Sequence, residues 1–157
     1  MRDEEILLRR ETPEEMPSGI CLQYAEGFGE VTEAVVRKIL KNVRKGVYQH
    51  LYLALDPDGE STFLQMAAGG GCIALSIGEE RCWENRVSWT VYQSYDPRYS
   101  ASEEAAPIRW GQDVFLKRYT IQDPALALRG IEWFIRTGTP YPGMDWARHG
   151  GFPSNSG

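Results

Sequence analysis

Two stretches of the chain repeat apolar residues at helical spacing. Between residues 31 and 45, apolar side chains recur every three or four positions and form one stripe, which predicts an amphipathic helix. Gly46 is expected to end it, as a glycine after the last helical turn usually does. A second helix is predicted to begin at Asp123 and Pro124, because Asp caps free backbone N–H groups and Pro fits the first helical position. Gly138 is expected to end this second helix.

Shorter stretches alternate apolar and polar residues, which is typical of half-buried strands. Turns are predicted at residues 56–59, where Asp-Gly favours a tight hairpin, at the glycine run 69–71, and at 78–80. Residues 95–110 have no periodicity and are predicted to be a long connection. The predicted strands cover residues 19–25, 48–55, 61–68, 72–77, 86–94 and 113–121.

This order of elements favours antiparallel pairing, because the middle strands follow one another through short connections. The 157 residues are predicted to form a single α+β domain. It has two layers, a mostly antiparallel sheet of about five to six strands with both helices on one face. Charge-rich residues 1–16 are predicted to be a loose N-terminal arm or an edge strand, and residues 148–157, which fade into Gly and Ser, a mobile tail.

Composition and charge narrow the functional classes. Apolar residues make up 42% and charged residues 25%, which excludes a disordered chain, and no apolar run approaches the roughly eighteen residues of a membrane span. The formal net charge of −5 disfavours nucleic acid as a partner and suits a basic protein. Residues 1–15 lack the basic start and long apolar core of a signal peptide, so a cytoplasmic protein is expected. The cysteines, Cys21, Cys72 and Cys82, show no CxxC spacing, which argues against a disulfide framework or a zinc site.

Few residues could support catalysis. The glycine run is followed neither by Gly-Lys-Ser/Thr nor by a predicted helix, which favours a strand-to-strand turn over a phosphate loop. His50 shares one face of a predicted strand with Tyr48 and Tyr52, where it is either a packed histidine or a general base in a pocket. His149 is predicted to be solvated. Since the His-x-Glu and Pro-Cys-x-x-Cys motifs of zinc deaminases are also missing, the chain is predicted not to be such a deaminase, and no metal or cofactor is expected.

Carboxylates cluster along residues 79–104, with aromatic residues between them. One interpretation is a solvated edge with core aromatics; the other is a protein-binding surface. Trp89 is expected in the core under either interpretation. Tyr and Trp supply rigid contact area, and carboxylates complement a basic partner. Members on the long connection are favoured because binding residues concentrate in loops. The residues predicted to contact a partner are Glu79, Glu80, Trp83, Glu84, Tyr95, Asp96, Tyr99, Glu103 and Glu104.

Several short motifs accompany the strand around Trp89. They are Gly111-x-Asp113, Ala125-Leu126-Ala127, Trp133-Phe134, Gly138-x-Pro140 and Met144-x-Trp146. Over residues 45–147 this pattern resembles a family of bacterial immunity proteins that are encoded beside polymorphic toxins, often with nucleic-acid deaminase domains. The glycine run 69–71 and the connection 95–110 have no counterpart in that pattern.

The resemblance implies a small α+β inhibitor rather than an enzyme. Such a protein binds the C-terminal domain of its cognate toxin, with a cytosine deaminase as the expected toxin, covers its active-site or substrate-binding face, and protects the producing cell. Nucleic acid and membranes are not expected as partners. The resemblance supplies no contact residues, so the predicted interface depends on charge and aromatic content alone. Two alternatives stay open: a non-catalytic adaptor, and a small ligand-binding domain or enzyme with a pocket near His50.

Overall fold

Seven strands and two α-helices make up the described part of the chain. This computed structural model describes residues 4–13, 15–58, 61–84, 86–109 and 114–153, apart from the side chains of residues 81–83 and 151–153. Short 3-10 turns occupy Pro97–Tyr99 and Lys117–Tyr119. The helices are α1 (Glu33–Arg44) and α2 (Pro124–Thr137), and the strands are β1 (Glu4–Leu7), β2 (Tyr24–Ala25), β3 (His50–Ala54), β4 (Phe63–Gly69), β5 (Cys72–Trp83), β6 (Arg86–Ser94) and β7 (Trp146–Pro153).

All seven strands join one antiparallel sheet in the order β1-β7-β6-β5-β4-β3-β2. Strands β3 to β6 form a meander, in which each strand pairs with the next along the chain. The last strand, β7, lies between β6 and the first strand, β1. The predicted α+β two-layer fold is therefore confirmed, with seven strands in place of the expected five to six.

The helix boundaries follow from local capping chemistry. The Thr32 hydroxyl accepts the Val35 N–H at the start of α1, and the Asp123 carboxylate accepts the Ala125 N–H, 3.0 Å away, at the start of α2. Gly138 has a φ of +75°, a left-handed conformation that costs glycine little, and its N–H bonds the last turn of α2. Both predicted helices are confirmed. Of the helices in the described part of the chain, none combines the length and apolar character of a membrane span.

The main core lies between the helices and one face of the sheet. Leu53, Leu64 and Ile77 pair across three neighbouring strands and are 0% exposed. They pack in one cluster with Ile39 of α1 and Ile131 of α2. Because side chains alternate between the two faces of a strand, the strand residues next to Leu53, Leu64 and Ile77 point away from the helices. That opposite side is called the second face below.

Strand β5 is longer than predicted, because residues 78–80 do not turn. They continue in register with β6 as far as the pair Trp83↔Arg86, and the chain reverses at Glu84, whose φ is +47°. Gly78 instead leaves room for the Phe63 ring, because a Cβ at this position would lie 2.6 Å from that ring. A long run of cross-strand hydrogen bonds outweighs the local turn preference of Gly-Glu-Glu.

The predicted strand at 113–121 is wrong for the residues the structure describes. Residues 105–109 and 114–121, called the crossing segment below, form no strand among the described residues; their one backbone bridge to a sheet strand is Ile73↔Ile121. The crossing segment packs its apolar side chains on the second face instead, against Ala67, Cys72 and Ala74. Asp113 itself lies outside the described residues.

Residues near each end of the described chain belong to the sheet. Residues 4–7 form an edge strand, which is one of the two predicted alternatives, and the expected mobile tail is wrong for residues 148–153, which belong to β7. The first predicted strand, 19–25, shrinks to two residues, because the Cys21 and Leu22 N–H groups both bond the Ile135 carbonyl at the end of α2. Residues 154–157 lie outside the description.

Gly69→Ala is expected to destabilise the protein by about 1–3 kcal/mol, as overpacking of a tight contact does. A Cβ at Gly69 would lie 2.4 Å from the Pro107 carbonyl oxygen, a backbone atom that moves only with the crossing segment. Urea unfolding would measure the loss. Gly19→Ala is the matched control, since its Cβ would meet nothing within 4 Å. Equal unfolding midpoints for the two variants would contradict this close contact.

Candidate functional site

Three aromatic side chains form a continuous row across the second face. The rings of Tyr52 and Phe63 stack at 5.4 Å between centroids, and the Phe63 and Trp89 rings lie 5.8 Å apart. All three side chains are only half-buried. These three residues are called the aromatic row below. A rigid aromatic surface of this kind is typical of protein contact sites.

Strand register explains how the row forms. Phe63 pairs with Gly78, and the missing side chain at Gly78 lets the Phe63 ring lie over β5. Glu80 lies two residues further along β5 and pairs directly with Trp89, so its carboxylate projects from the same face beside the indole. The sheet thus presents a carboxylate at the Trp89 end of the aromatic row.

The pKa of the Tyr52 phenol is raised above its usual value. Burial raises the pKa of the Tyr52 phenol, and the nearby Asp56, Tyr24 and Glu26 raise it further. The phenol therefore offers a hydrogen-bond donor rather than a charge at any physiological pH.

A polar cluster lies on the same face near the sheet edge: Glu4, Gln93, Tyr119 and His149. The Tyr119 hydroxyl donates to the Glu4 carboxylate at 2.6 Å, and His149 Nε2 lies 3.5 Å from the same carboxylate and 3.0 Å from the Gln93 amide oxygen. Because Nε2 faces two acceptors, it carries the proton. Burial, followed by the bond to Glu4, raises the pKa of Tyr119. His149, predicted to be solvated, is instead half-buried, since β7 places it opposite Glu4.

The predicted contact residues divide into two groups at opposite ends of β6. Glu79, Glu80 and Glu84 lie toward the β5–β6 turn, while the group from Tyr95 to Glu104 follows the other end of the strand. Because Glu79 and Glu80 pair with Thr90 and Trp89, five to six residues of chain separate them from Tyr95, roughly 17–20 Å at about 3.3 Å per residue. Glu79 also points to the helix side, opposite to Glu80. The side chain of Trp83 lies outside the description.

Acidic residues of the long connection have partners of their own. Asp96 is buried, and its carboxylate accepts two side-chain hydrogen bonds from Arg98, of 2.8 and 3.1 Å. Burial by itself raises the pKa of the Asp96 carboxyl. The bonds from Arg98 outweigh burial and hold that pKa below its usual range. Glu104 pairs with Lys117 at 3.0 Å, and Glu103 lies 3.6 Å from Arg118, whose guanidinium is buried. Much of the negative charge counted along this stretch is therefore compensated within the fold.

The aromatic members of that connection are also engaged. Tyr95 is buried with its ring 6.1 Å from that of Tyr119, and the half-buried Tyr99 donates to Gln122 at 3.5 Å. Tyr95 and Asp96 line a cleft of about 470 Å³. Among the described residues, no group of three or more His, Cys, Asp or Glu side chains could hold a metal ion, and this holds for the cleft as well.

His50 contacts the crossing segment. The residue is exposed, and Nε2 lies 3.0 Å from the Arg109 carbonyl oxygen, so the Nε2 N–H donates a hydrogen bond to that backbone oxygen. His50 pairs with Ala67 at the end of the sheet that the crossing segment covers. Its visible role is to hold that segment in place.

Sequence reasoning missed most of the aromatic row. Trp89 was expected in the core, but the buried side of β6 carries Ser88, Thr90 and Tyr92, while Trp89 is half-buried on the other side. The alternation of Tyr52 with leucines was a usable signal for the second face. The contact between Tyr52 and Phe63 depends on the β3–β4 register, which alternation alone does not reveal.

In comparisons with known proteins, no family model, curated protein or solved structure matches the chain.

Replacing Glu4 by Gln is expected to lower the pKa of Tyr119 part of the way, because the charge is removed while burial remains. In the folded protein the raised pKa favours the neutral phenol. This preference stabilises the folded protein at every pH below about 10, the pKa of the Tyr119 phenol in the unfolded chain. The stabilisation is lost as the pH rises through the higher pKa of the folded state. The Cζ chemical shift of Tyr119 would follow the titration. Glu5→Gln on the same strand is the control and should leave Tyr119 unchanged; an equal shift in both variants would contradict the Glu4 contact.

Proposed function

We propose that the chain is a toxin-neutralising immunity protein that binds its partner through the aromatic row and the adjoining Glu80. The observation that carries this proposal is the stack of Tyr52, Phe63 and Trp89, which is held rigidly by strand pairing and remains partly exposed. Stacked aromatic side chains lose little conformational freedom on binding, and Trp and Tyr are enriched among the residues that dominate interface energies.

The distribution of charge supports a basic partner. Five of the 17 basic residues lie on α1 and its C-cap, against one acidic residue there, which leaves 12 basic and 21 acidic residues in the rest of the chain. Helix α1 belongs to the layer opposite the aromatic row. The basic residues of α1 thus lie in the layer away from the row, and the net charge of −5 accelerates encounter with a positively charged surface.

A nucleic-acid deaminase toxin would present such a surface, because its substrate cleft must attract phosphate groups. Covering that cleft, or the face beside it, would block substrate without any chemistry in the inhibitor. The likeness of residues 45–147 to toxin immunity proteins supports this partner class. In this proposal the chain is a binding protein and not an enzyme.

Co-expression of the tagged chain with the toxin domain encoded next to it tests the proposal. A stable complex and restored growth are expected. Trp89→Ala should weaken binding by at least about thirtyfold, the effect of losing a dominant interface residue. The matched control is Trp133→Ala, which removes a half-buried indole from α2 in the other layer.

Reversing the charge of Glu80 tests its contribution to binding. Glu80→Lys should also weaken the complex and slow association at low salt, because it places a cation beside the indole. Glu103→Lys, at the opposite end of β6, should have little effect. Failure of the unmodified chain to bind or rescue would overturn the immunity proposal, whereas loss of binding in Glu103→Lys alone would move the interface to the long connection.

A further inference from the structure

A groove of about 340 Å³ opens on the second face where the crossing segment meets the sheet. Its floor is a row of three polar residues in register across three strands, since Gln65 pairs with Ser76 and Ser76 pairs with Gln93. Ala67 and Ala74 form the neighbouring pair toward the crossing segment. The groove is thus built on the rigid centre of the sheet.

Side-chain size makes this part of the sheet concave. Ser76, Ala67 and Ala74 are small, while Gln65 and Gln93 extend on either side of Ser76. Two strand spacings of about 4.8 Å put the backbones of the two glutamines roughly 10 Å apart. A flat ring can lie between their amide groups above the small side chains.

One wall of the groove is aromatic and firmly positioned. Phe115 and Tyr119 of the crossing segment line it. The buried Ser94 hydroxyl donates to the Tyr119 carbonyl at 2.8 Å and accepts the Leu75 N–H at 3.0 Å, which ties the segment to β5 and β6. At its other end, Tyr119 bonds Glu4. The wall is therefore fixed before any ligand arrives.

The floor offers hydrogen bonds without charge. Within the described part of the chain, the side chains of Gln65 and Ser76 have no hydrogen-bond partner. His149 engages the amide oxygen of Gln93, which leaves the Gln93 amide N–H groups as donors. None of the described residues that line the groove is charged.

We propose that this groove binds an uncharged planar heterocycle of the nucleobase class. A glutamine amide presents a donor and an acceptor side by side, which matches the edge of a nucleobase, and aromatic side chains supply a stacking surface. An aliphatic ligand would leave the amides of Gln65 and Gln93 unpaired, and a charged ligand would lose its hydration without gaining a counter-charge. The site uses different residues from the aromatic row and does not depend on the proposed toxin partner.

Titration of the full-length, ¹⁵N-labelled protein with adenosine and with uridine tests the proposal. Shifts are expected in the side-chain amide signals of Gln65 and Gln93 and in the backbone signals of Ser76 and Tyr119, with at least one nucleoside saturating at millimolar concentration or below. Benzoate, a planar anion, should produce no such shifts. No response to either nucleoside, or an equal response to benzoate, would overturn the assignment.

Variants locate the binding. Gln65→Leu should weaken it at least about tenfold, the effect of one lost hydrogen-bonding group. Ser76→Phe should abolish it by filling the groove. Gln23→Leu, the same change at an exposed position outside the groove, should leave it intact. Unchanged affinity in both Gln65→Leu and Ser76→Phe would place the ligand elsewhere and overturn the site.

A short oligouridylate distinguishes a free nucleoside from a nucleic-acid strand. It should bind more weakly than uridine, because the chain carries a net charge of −5 and the groove holds no cation among its described lining residues. Tighter binding of the oligonucleotide would contradict the proposal of an uncharged small ligand.

Discussion

The register of β4, β5 and β6 determines where nearly every important side chain lies. On one side it aligns Leu64 with Ile77, in contact with both helices. On the other side it brings Phe63 over Gly78 and toward Trp89. A slip of one residue would exchange the two faces of a strand, burying its polar side chains and exposing its apolar ones. The core and the aromatic row are thus two results of one pairing, and a change that disturbs the pairing affects both.

The crossing segment divides the second face into a covered part and an open part. It covers Ala67 and Ala74 with its own apolar side chains, and it stops short of forming a strand because only Ile121 bonds the backbone of β5. It also brings Lys117 and Arg118 to the acidic residues of the long connection. The number of acidic residues along the long connection therefore overstates the negative charge that is exposed to a partner. Glu80 lies beside the aromatic row, whereas Asp96 is buried and bonded to Arg98.

The two proposed sites share the second face but differ in chemistry. The aromatic row is a partly exposed, ring-rich surface with a carboxylate at its end, suited to a large basic partner. The groove is narrower, has an amide floor and suits a small neutral ligand. Tyr52 and Gln65 pair directly across β3 and β4, so the two sites are neighbours in the sheet. Placing both on paired strands rather than on loops keeps their geometry fixed before binding.

What the sequence determined by itself was the local structure: both helices, with the Asp123 cap and the glycine stops at Gly46 and Gly138, the β6 strand from Arg86 to Ser94, and the meander with helices on one side. Caps, glycine stops and apolar periodicity act within a few residues, so they can be read from the sequence. Among the predicted contacts whose side chains the structure describes, Glu80 alone adjoins the aromatic row. The row itself, the insertion of β7 beside β1 and the pairing of Arg118 with Glu103 were decided only by the tertiary structure. Each joins residues on different elements, and their contact depends on strand register and chain crossing, which local pattern does not specify.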